Sequence, residues 1–393
     1  MSSPYRAIYP LSFAHLVTDI YMPVITAILP ILMAERGLSF FLAGLLVTSY
    51  NLTSSATQPI FGYLSDRYGK QVHVSTSLLI SAVFISLIGV VTKYPLLLIC
   101  AGLAAIGHAC FHPNALSIVS RTADHINRGK VTAVFVVGGN IGYALGPLLA
   151  GGIVYLFGLP GLLILFIPAV VMAIVLRKLI PPAGSSLPVH HQTGPSLSLA
   201  ALRPMGFLFT ASTLRAWAVF SAIAFFPPLL ISRGLDILTA NLLVTGMLFG
   251  GVAGQLIGGV LADRYGKKEF ALTSLLSSIP FLVIFFMTGG IVSVLSLILF
   301  GFFLWSNFAV TVAMAHELLP SNVGMASGLM LGVAIGAGGI GVAINGMIAD
   351  TYSLSAALAT IPVLIFASAA VMLLVRYPWK IFDRKRAESS HSR

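Results

Sequence analysis

Charge is what this sequence has least of. Asp, Glu, Lys and Arg make up only 8% of its 393 residues, against about 25% in soluble domains. The apolar set is 58% and the mean hydropathy +0.98. That excludes a soluble enzyme, and it removes the usual meaning of a net charge of +11, which in a soluble chain would suggest nucleic acid. Cysteine is nearly absent. Cys100 and Cys110 share one apolar run and read as small apolar packers, silent about redox compartment. No His-Glu-x-x-His and no nucleophile–base constellation occurs, so the reading is of a non-enzyme. A cleavable signal is not expected, because the first apolar run is long and no small-residue cleavage site follows it.

Long polar stretches are lacking too, and the apolar runs between the breaks give twelve spans of membrane-crossing length. They fall at 9–33, 38–63, 72–92, 95–119, 131–157, 160–180, 205–232, 237–261, 270–289, 291–315, 324–349 and 354–376. The expected fold is an all-α membrane protein of twelve transmembrane helices in two pseudo-symmetric six-helix bundles. The halves are 1–180 and 204–378, joined by a cytoplasmic loop at 181–203 and followed by a basic tail at 379–393. His190-His191 in that loop reads as solvated, so no metal site is expected. With the N-terminus inside, 18 of the 22 Lys and Arg residues fall on the cytoplasmic side. Only Arg36, Lys93 and Arg233 lie outside, and Arg215 is within a span. This bias places both termini in the cytoplasm. Arg384-Lys385-Arg386 reads as an anchor to anionic lipid, with no nucleic-acid partner.

One stretch is repeated. Gly62-Tyr63-Leu64-Ser65-Asp66-Arg67-Tyr68-Gly69-Lys70 recurs as Gly259-Val260-Leu261-Ala262-Asp263-Arg264-Tyr265-Gly266-Lys267, offset by 197 residues. That is half the chain length, the mark of a duplicated unit. Each copy is a charged hairpin between two spans. The pattern resembles the loop between the second and third helices of the major facilitator superfamily. The resemblance implies a secondary transporter working by alternating access, in which Gly62, Asp66, Arg67, Gly69, Lys70, Asp263, Arg264 and Gly266 form gating loops. Arg121 joins Asp66 in binding a helix end of the other half.

The rare ionisable groups inside spans are the functional candidates, since a charge in hydrocarbon costs about 2.5–3.5 kcal/mol even on the lenient scale. Asp19 and His15 are four residues apart in the first span. His108 and His112 repeat that spacing in the fourth, next to Pro113, where a kink is expected. The four are the candidates for proton coupling. Arg215, nearly equivalent to Asp19 by the repeat, is a candidate anion contact facing a central cavity, or else half of a structural ion pair. Asn51, Asn140 and His112 are further candidates for substrate contact. In the fifth span, Gly142, Gly146 and Pro147 resemble the superfamily's antiporter motif, with Ala150 replacing a Gly. Their expected role is close helix approach and sliding between halves, or packing alone.

Local strings narrow the resemblance. His15-Leu16-x-x-Asp19, Gln58-Pro59, Phe111-His112-Pro113, Gly138-Gly139-Asn140-x-Gly142, Arg215 upstream of Phe226-Pro227, and Glu317-Leu318-Leu319-Pro320 are similar to the fosmidomycin-resistance branch. This implies a monomeric proton-coupled antiporter in the plasma membrane (the bacterial inner membrane), conferring drug resistance by efflux of small toxic or anionic compounds. It would use the proton gradient and no cofactor. The alternatives are an uptake symporter for an organic anion or metabolite, and a non-transporting receptor or scaffold. The mid-membrane arginine that many drug antiporters carry in the fourth helix is missing, with His108 and His112 as substitutes.

Overall fold

A backbone that runs through apolar surroundings has to satisfy its own hydrogen bonds, and the helix does so within one segment. The computed structural model describes residues 5–68, 72–122, 128–180 and 199–380. Among these, the regular elements are all helical. In chain order they are α1 (Tyr5–Ile20), α2 (Val24–Arg36), α3 (Phe40–Tyr68), α4 (Val74–Leu87), α5 (Tyr94–Thr122), α6 (Arg128–Phe157), α7 (Phe166–Leu179), α8 (Leu199–Ser232), α9 (Ile237–Tyr265), α10 (Lys267–Met287), α11 (Gly290–Ser306), α12 (Phe308–Leu318), α13 (Val323–Ser327), α14 (Ala334–Thr351) and α15 (Leu354–Leu374). Ten helical runs among the described residues are long and apolar enough to cross a membrane, and α4 is a shorter apolar helix. The second expected span is occupied by α3, whose polar residues lower its hydropathy. All twelve expected spans are therefore helical, and the chain is an all-α membrane protein.

Two local departures from regular helix matter. The first span breaks between α1 and α2 at Tyr21–Pro23, where the proline ring removes a backbone donor and the amides of Tyr21, Met22 and Val24 make i→i−3 bonds. The eleventh span contains a π-helical turn at Gly328–Val333. By contrast α5 runs through Pro113 without interruption.

The described residues group into two compact units. The first comprises those of Met1–His191 with Ile223–Thr245 and Gly339–Ala357; the second, Gln192–Ala222, Gly246–Gly338 and Leu358–Arg393. Within the first unit the segments from the C-terminal half are tied in by polar contacts. The Asp350 carboxylate accepts from the amides of Phe40 and Phe41, 2.8 Å each. Thr48 donates to the Gly339 carbonyl at 2.8 Å, and Asn241 to the Ala27 carbonyl at 3.0 Å. The amide of Leu148, next to Pro147, donates to the Thr245 hydroxyl at 3.1 Å. At the start of α9, Thr239 donates its hydroxyl and its amide to Asp236, which holds that carboxyl below the usual range.

Within the second unit the repeated loop turns at Gly266, whose φ of +111° is left-handed backbone that favours glycine. Lys268 is buried and donates to the carbonyls of Leu373 and Val375 at 3.0 and 2.7 Å, which finishes α15. Lys267 reaches Glu317 at 2.7 Å, and Tyr377 donates to the other oxygen of that carboxylate. Burial and the Glu317 charge push the Tyr377 hydroxyl up, so it stays a donor.

Candidate functional site

α1 and α5 each carry two ionisable side chains one helical turn apart, and that spacing puts each pair on one face. The fold sets the two faces against each other. Asp19 is the hub. Its Oδ2 lies 3.2 Å from His15 Nε2, while its Oδ1 lies 3.4 Å from His108 Nε2 and 3.3 Å from His112 Nε2. The Nε2 atoms of His15 and His112 are 3.2 Å apart.

The opposite edges of the rings fix which nitrogens carry protons. His15 Nδ1 is 2.8 Å from the Phe135 carbonyl, and His112 Nδ1 is 2.9 Å from the His108 carbonyl. A carbonyl only accepts, so both Nδ1 atoms are donors. In the neutral rings the Nε2 atoms are then lone pairs, pointed at each other and at a carboxylate. His108 Nδ1 meets the Ser54 hydroxyl at 3.3 Å. An arrangement of two facing lone pairs and an anion is repulsive until a cation sits among them.

Three further features suit a cation. Asp19 is one residue from the end of α1, where helical carbonyls give a partial negative charge. His15 stacks on Phe135, with centroids 4.2 Å apart, which clamps the ring. Gly139 of α6 forms the remaining wall: a Cβ there would lie 2.4 Å from His15 Nε2 and 2.6 Å from Asp19 Oδ2. The His112 side chain is 23% exposed, so the cluster is open on that side.

Arg215, on α8 in the second unit, is 5% exposed. Its guanidinium lies 5.2 Å from the Phe308 ring centroid. Its Nε has no hydrogen-bond partner, and no carboxylate of the described residues lies within ion-pairing distance. A buried cation left with only an aromatic face is costly, and an incoming anion relieves that cost.

The other expected residues separate. Asn51 is buried in the first unit with its Cβ against Gly339, and Asn140 is half-buried beside Gly139. Of the gating loops, Gly69 and Lys70 lie outside the described residues, as do the side chains of Asp66, Arg67 and Arg121, the His190-His191 pair and residues 381–393. Gly62 sits in α3 with open space around it. Asp263 is 73% exposed and lies 3.7 Å from Lys267, and Arg264 lies over Tyr265. The glycines of α6 face α1 and the residues that follow it. Hypothetical Cβ atoms at Gly138, Gly142 and Gly146 would fall 2.3 Å from the Ser12 carbonyl, 2.1 Å from the Leu16 carbonyl and 2.4 Å from Pro23 Cγ. At these positions the close approach is to the N-terminal half's first span, while further along α6 a Cβ at Gly151 would lie 2.6 Å from Asn241 Nδ2 on α9. Two features escaped the sequence reading: the role of Gly139, and the convergence of the two histidine pairs. The shared i, i+4 spacing was the available signal.

The Major Facilitator Superfamily profile matches residues 11–239 and 208–392. The chain is 32% identical over 353 residues to the fosmidomycin resistance protein of Escherichia coli K12, covering 88% of this chain and 86% of that one. It is 29% identical to the MFS-type transporter YfnC of Bacillus subtilis 168, covering 93% of each. Among solved structures, a bacterial homologue of the human lysosomal transporter Spinster, in an inward-facing and occupied conformation, superposes with a TM-score of 0.75. It covers 95% of this chain and 96% of that one at 18% identity, a likeness of fold alone. Twelve helical spans, a motif repeated at half the chain length and a family profile matched through both halves lead to one statement: this chain belongs to the major facilitator superfamily and is a membrane transporter, not an enzyme.

Proposed function

We propose that the chain is a proton-coupled antiporter that exports small anionic or amphipathic organic compounds by alternating access. The observation that carries this reading is the cluster of Asp19, His15, His108 and His112. Its facing lone pairs and carboxylate need a cation, and the proton is the one available from a membrane gradient. Arg215 supplies the complementary element, a buried guanidinium that an anionic cargo would neutralise. The similarity to a fosmidomycin resistance protein favours export over uptake. In this reading the halves 1–180 and 204–378 are the moving bodies. Both termini are cytoplasmic, the chain works as a monomer in the plasma membrane, and the gradient replaces any cofactor.

The test is transport in proteoliposomes containing the full-length protein, with an imposed pH difference and a panel of toxic organic anions. The wild type should move a cargo against its gradient when protons flow the other way, and Asp19→Asn should lose the coupling. Uphill transport by Asp19→Asn that still follows the pH difference sinks the assignment. Proton and cargo moving in the same direction would make the protein a symporter.

A further inference from the structure

The geometry points to a transition-metal site within the same cluster: His15, His112 and Asp19 form a three-ligand seat for one divalent ion of the Zn²⁺ class. It uses the same atoms as the export reading but does not rest on transport: protonation of the Nε2 atoms and metal binding are alternative occupancies of one seat.

The donor spacing is the first argument. Zn²⁺ binds imidazole nitrogen and carboxylate oxygen at about 2.0–2.1 Å in a tetrahedron, so neighbouring donors lie about 3.3–3.4 Å apart. The separations here are 3.2 Å (His15 Nε2 to His112 Nε2), 3.2 Å (His15 Nε2 to Asp19 Oδ2) and 3.3 Å (His112 Nε2 to Asp19 Oδ1). One donor atom each from His15, Asp19 and His112 lies within 4.8 Å of the others. His108 Nε2 is buried without a hydrogen-bond partner, as is Asp19 Oδ1. His108 stands outside the three-ligand set: with its Nδ1 accepting from Ser54, its Nε2–H faces Asp19 Oδ1 at 3.4 Å and orients the coordinating carboxylate.

The outer contacts are the second argument. A metal-bound imidazole usually donates its other ring N–H to a carbonyl or carboxylate, which fixes tautomer and orientation. His15 and His112 do so to the Phe135 and His108 carbonyls, and the Nε2 lone pairs are left for the ion. The donor set decides the class. Mg²⁺ and Ca²⁺ want roughly six or more oxygen donors, whereas two imidazoles and one carboxylate with a fourth position open suit Zn²⁺, Co²⁺ and Ni²⁺. No linear motif marks the site, because its ligands come from two helices roughly ninety residues apart and neither stretch alone resembles a metal motif.

The experiment uses tag-free, full-length protein in detergent. Titration with Co²⁺ should give the intense visible bands of tetrahedral cobalt at one ion per chain. Zn²⁺ should abolish them and raise the thermal midpoint. His15→Gln and His112→Gln should each weaken binding at least about tenfold, by analogy with the 10–100-fold losses seen for outer-shell changes. Gly139→Ala removes no donor but places a methyl in the seat, and should also abolish the cobalt bands. Each variant's metal-free midpoint shows whether it has folded. The double variant His190→Ala/His191→Ala should bind as the wild type does. The inference is overturned if the wild type gives no tetrahedral spectrum. It is equally overturned if folded His15→Gln and His112→Gln bind unchanged, or if loss of His190-His191 removes the binding. Metal binding without proton-driven transport would count against the export reading alone, and coupled transport without metal binding against this inference alone.

Discussion

The Asp350 carboxylate caps the first turn of α3 by accepting from the amides of Phe40 and Phe41, residues more than three hundred positions earlier in the chain. A carboxylate at a helix N-terminus satisfies free amides and opposes the positive end of the dipole. Removing such a cap costs about 0.5–2 kcal/mol. Asp350→Ala should therefore loosen the Phe40 end of α3, with Asp350→Asn intermediate. A cysteine placed at Ser39 reports on it, and thiol labelling there should be faster in Asp350→Ala than in the parent.

Two glycines of similar appearance in the sequence should behave oppositely. Gly142 has the Leu16 carbonyl 2.1 Å from where a Cβ would be, while Gly62 has nothing within 4 Å. Backbone cannot move aside as a side chain can, so Gly142→Ala should cost about 1–3 kcal/mol or more. Gly62→Ala removes a flexible residue from a helix interior and should gain about 0.5–1 kcal/mol. Thermal midpoints in detergent, read beside size-exclusion profiles, decide both.

Arg215 gives a prediction that separates function from structure. A structural cation is missed when it is lost; an unpartnered one retained for cargo is not. Arg215→Met should raise stability by at least about 1 kcal/mol and abolish movement of anionic cargo. Arg215→Lys, which keeps the charge and loses the planar fork, should raise KM for a carboxylate or phosphonate cargo. A lower thermal midpoint in Arg215→Met would show that the residue holds the fold together.

Adjacent lysines at the repeated loop should also differ. Lys267 pairs with a half-exposed Glu317, and exposed pairs contribute about 0–1 kcal/mol. Lys268 is 3% exposed and donates to two helix-terminal carbonyls, bonds worth about 1.5–3 kcal/mol when the donor is charged. Lys268→Ala should lower the thermal midpoint clearly, and Lys267→Ala only slightly, with the smaller effect vanishing at high salt.

The sequence made the repeat, the spans and the two histidine pairs legible, because each depends only on spacing along one chain. Asp19 and His15 share a face for the same reason that His108 and His112 do. That the two faces meet is a property of how α1 lies on α5, and linear spacing holds no trace of it. The glycines of α6 show the same limit. Their density announced a close approach, but the partner, α1, came from the packing. Pro23 and Pro113 look alike in sequence, yet the first ends a helix and the second is absorbed. At Pro23 the preceding residues adopt i→i−3 bonds, whereas at Pro113 the turn stays within α5.

The break at Tyr21–Pro23 gives the cluster a mechanical meaning. His15 and Asp19 stand on the last turns of a rod that stops just beyond them, and His108 and His112 stand on a second rod beside it. An ion held by His15, Asp19 and His112 would tie the two rods together next to that break. Filling the seat would hold the end of α1 against α5, and emptying it would remove that tie. Occupancy would then set how firmly the first span is anchored at the point where its helix is already interrupted.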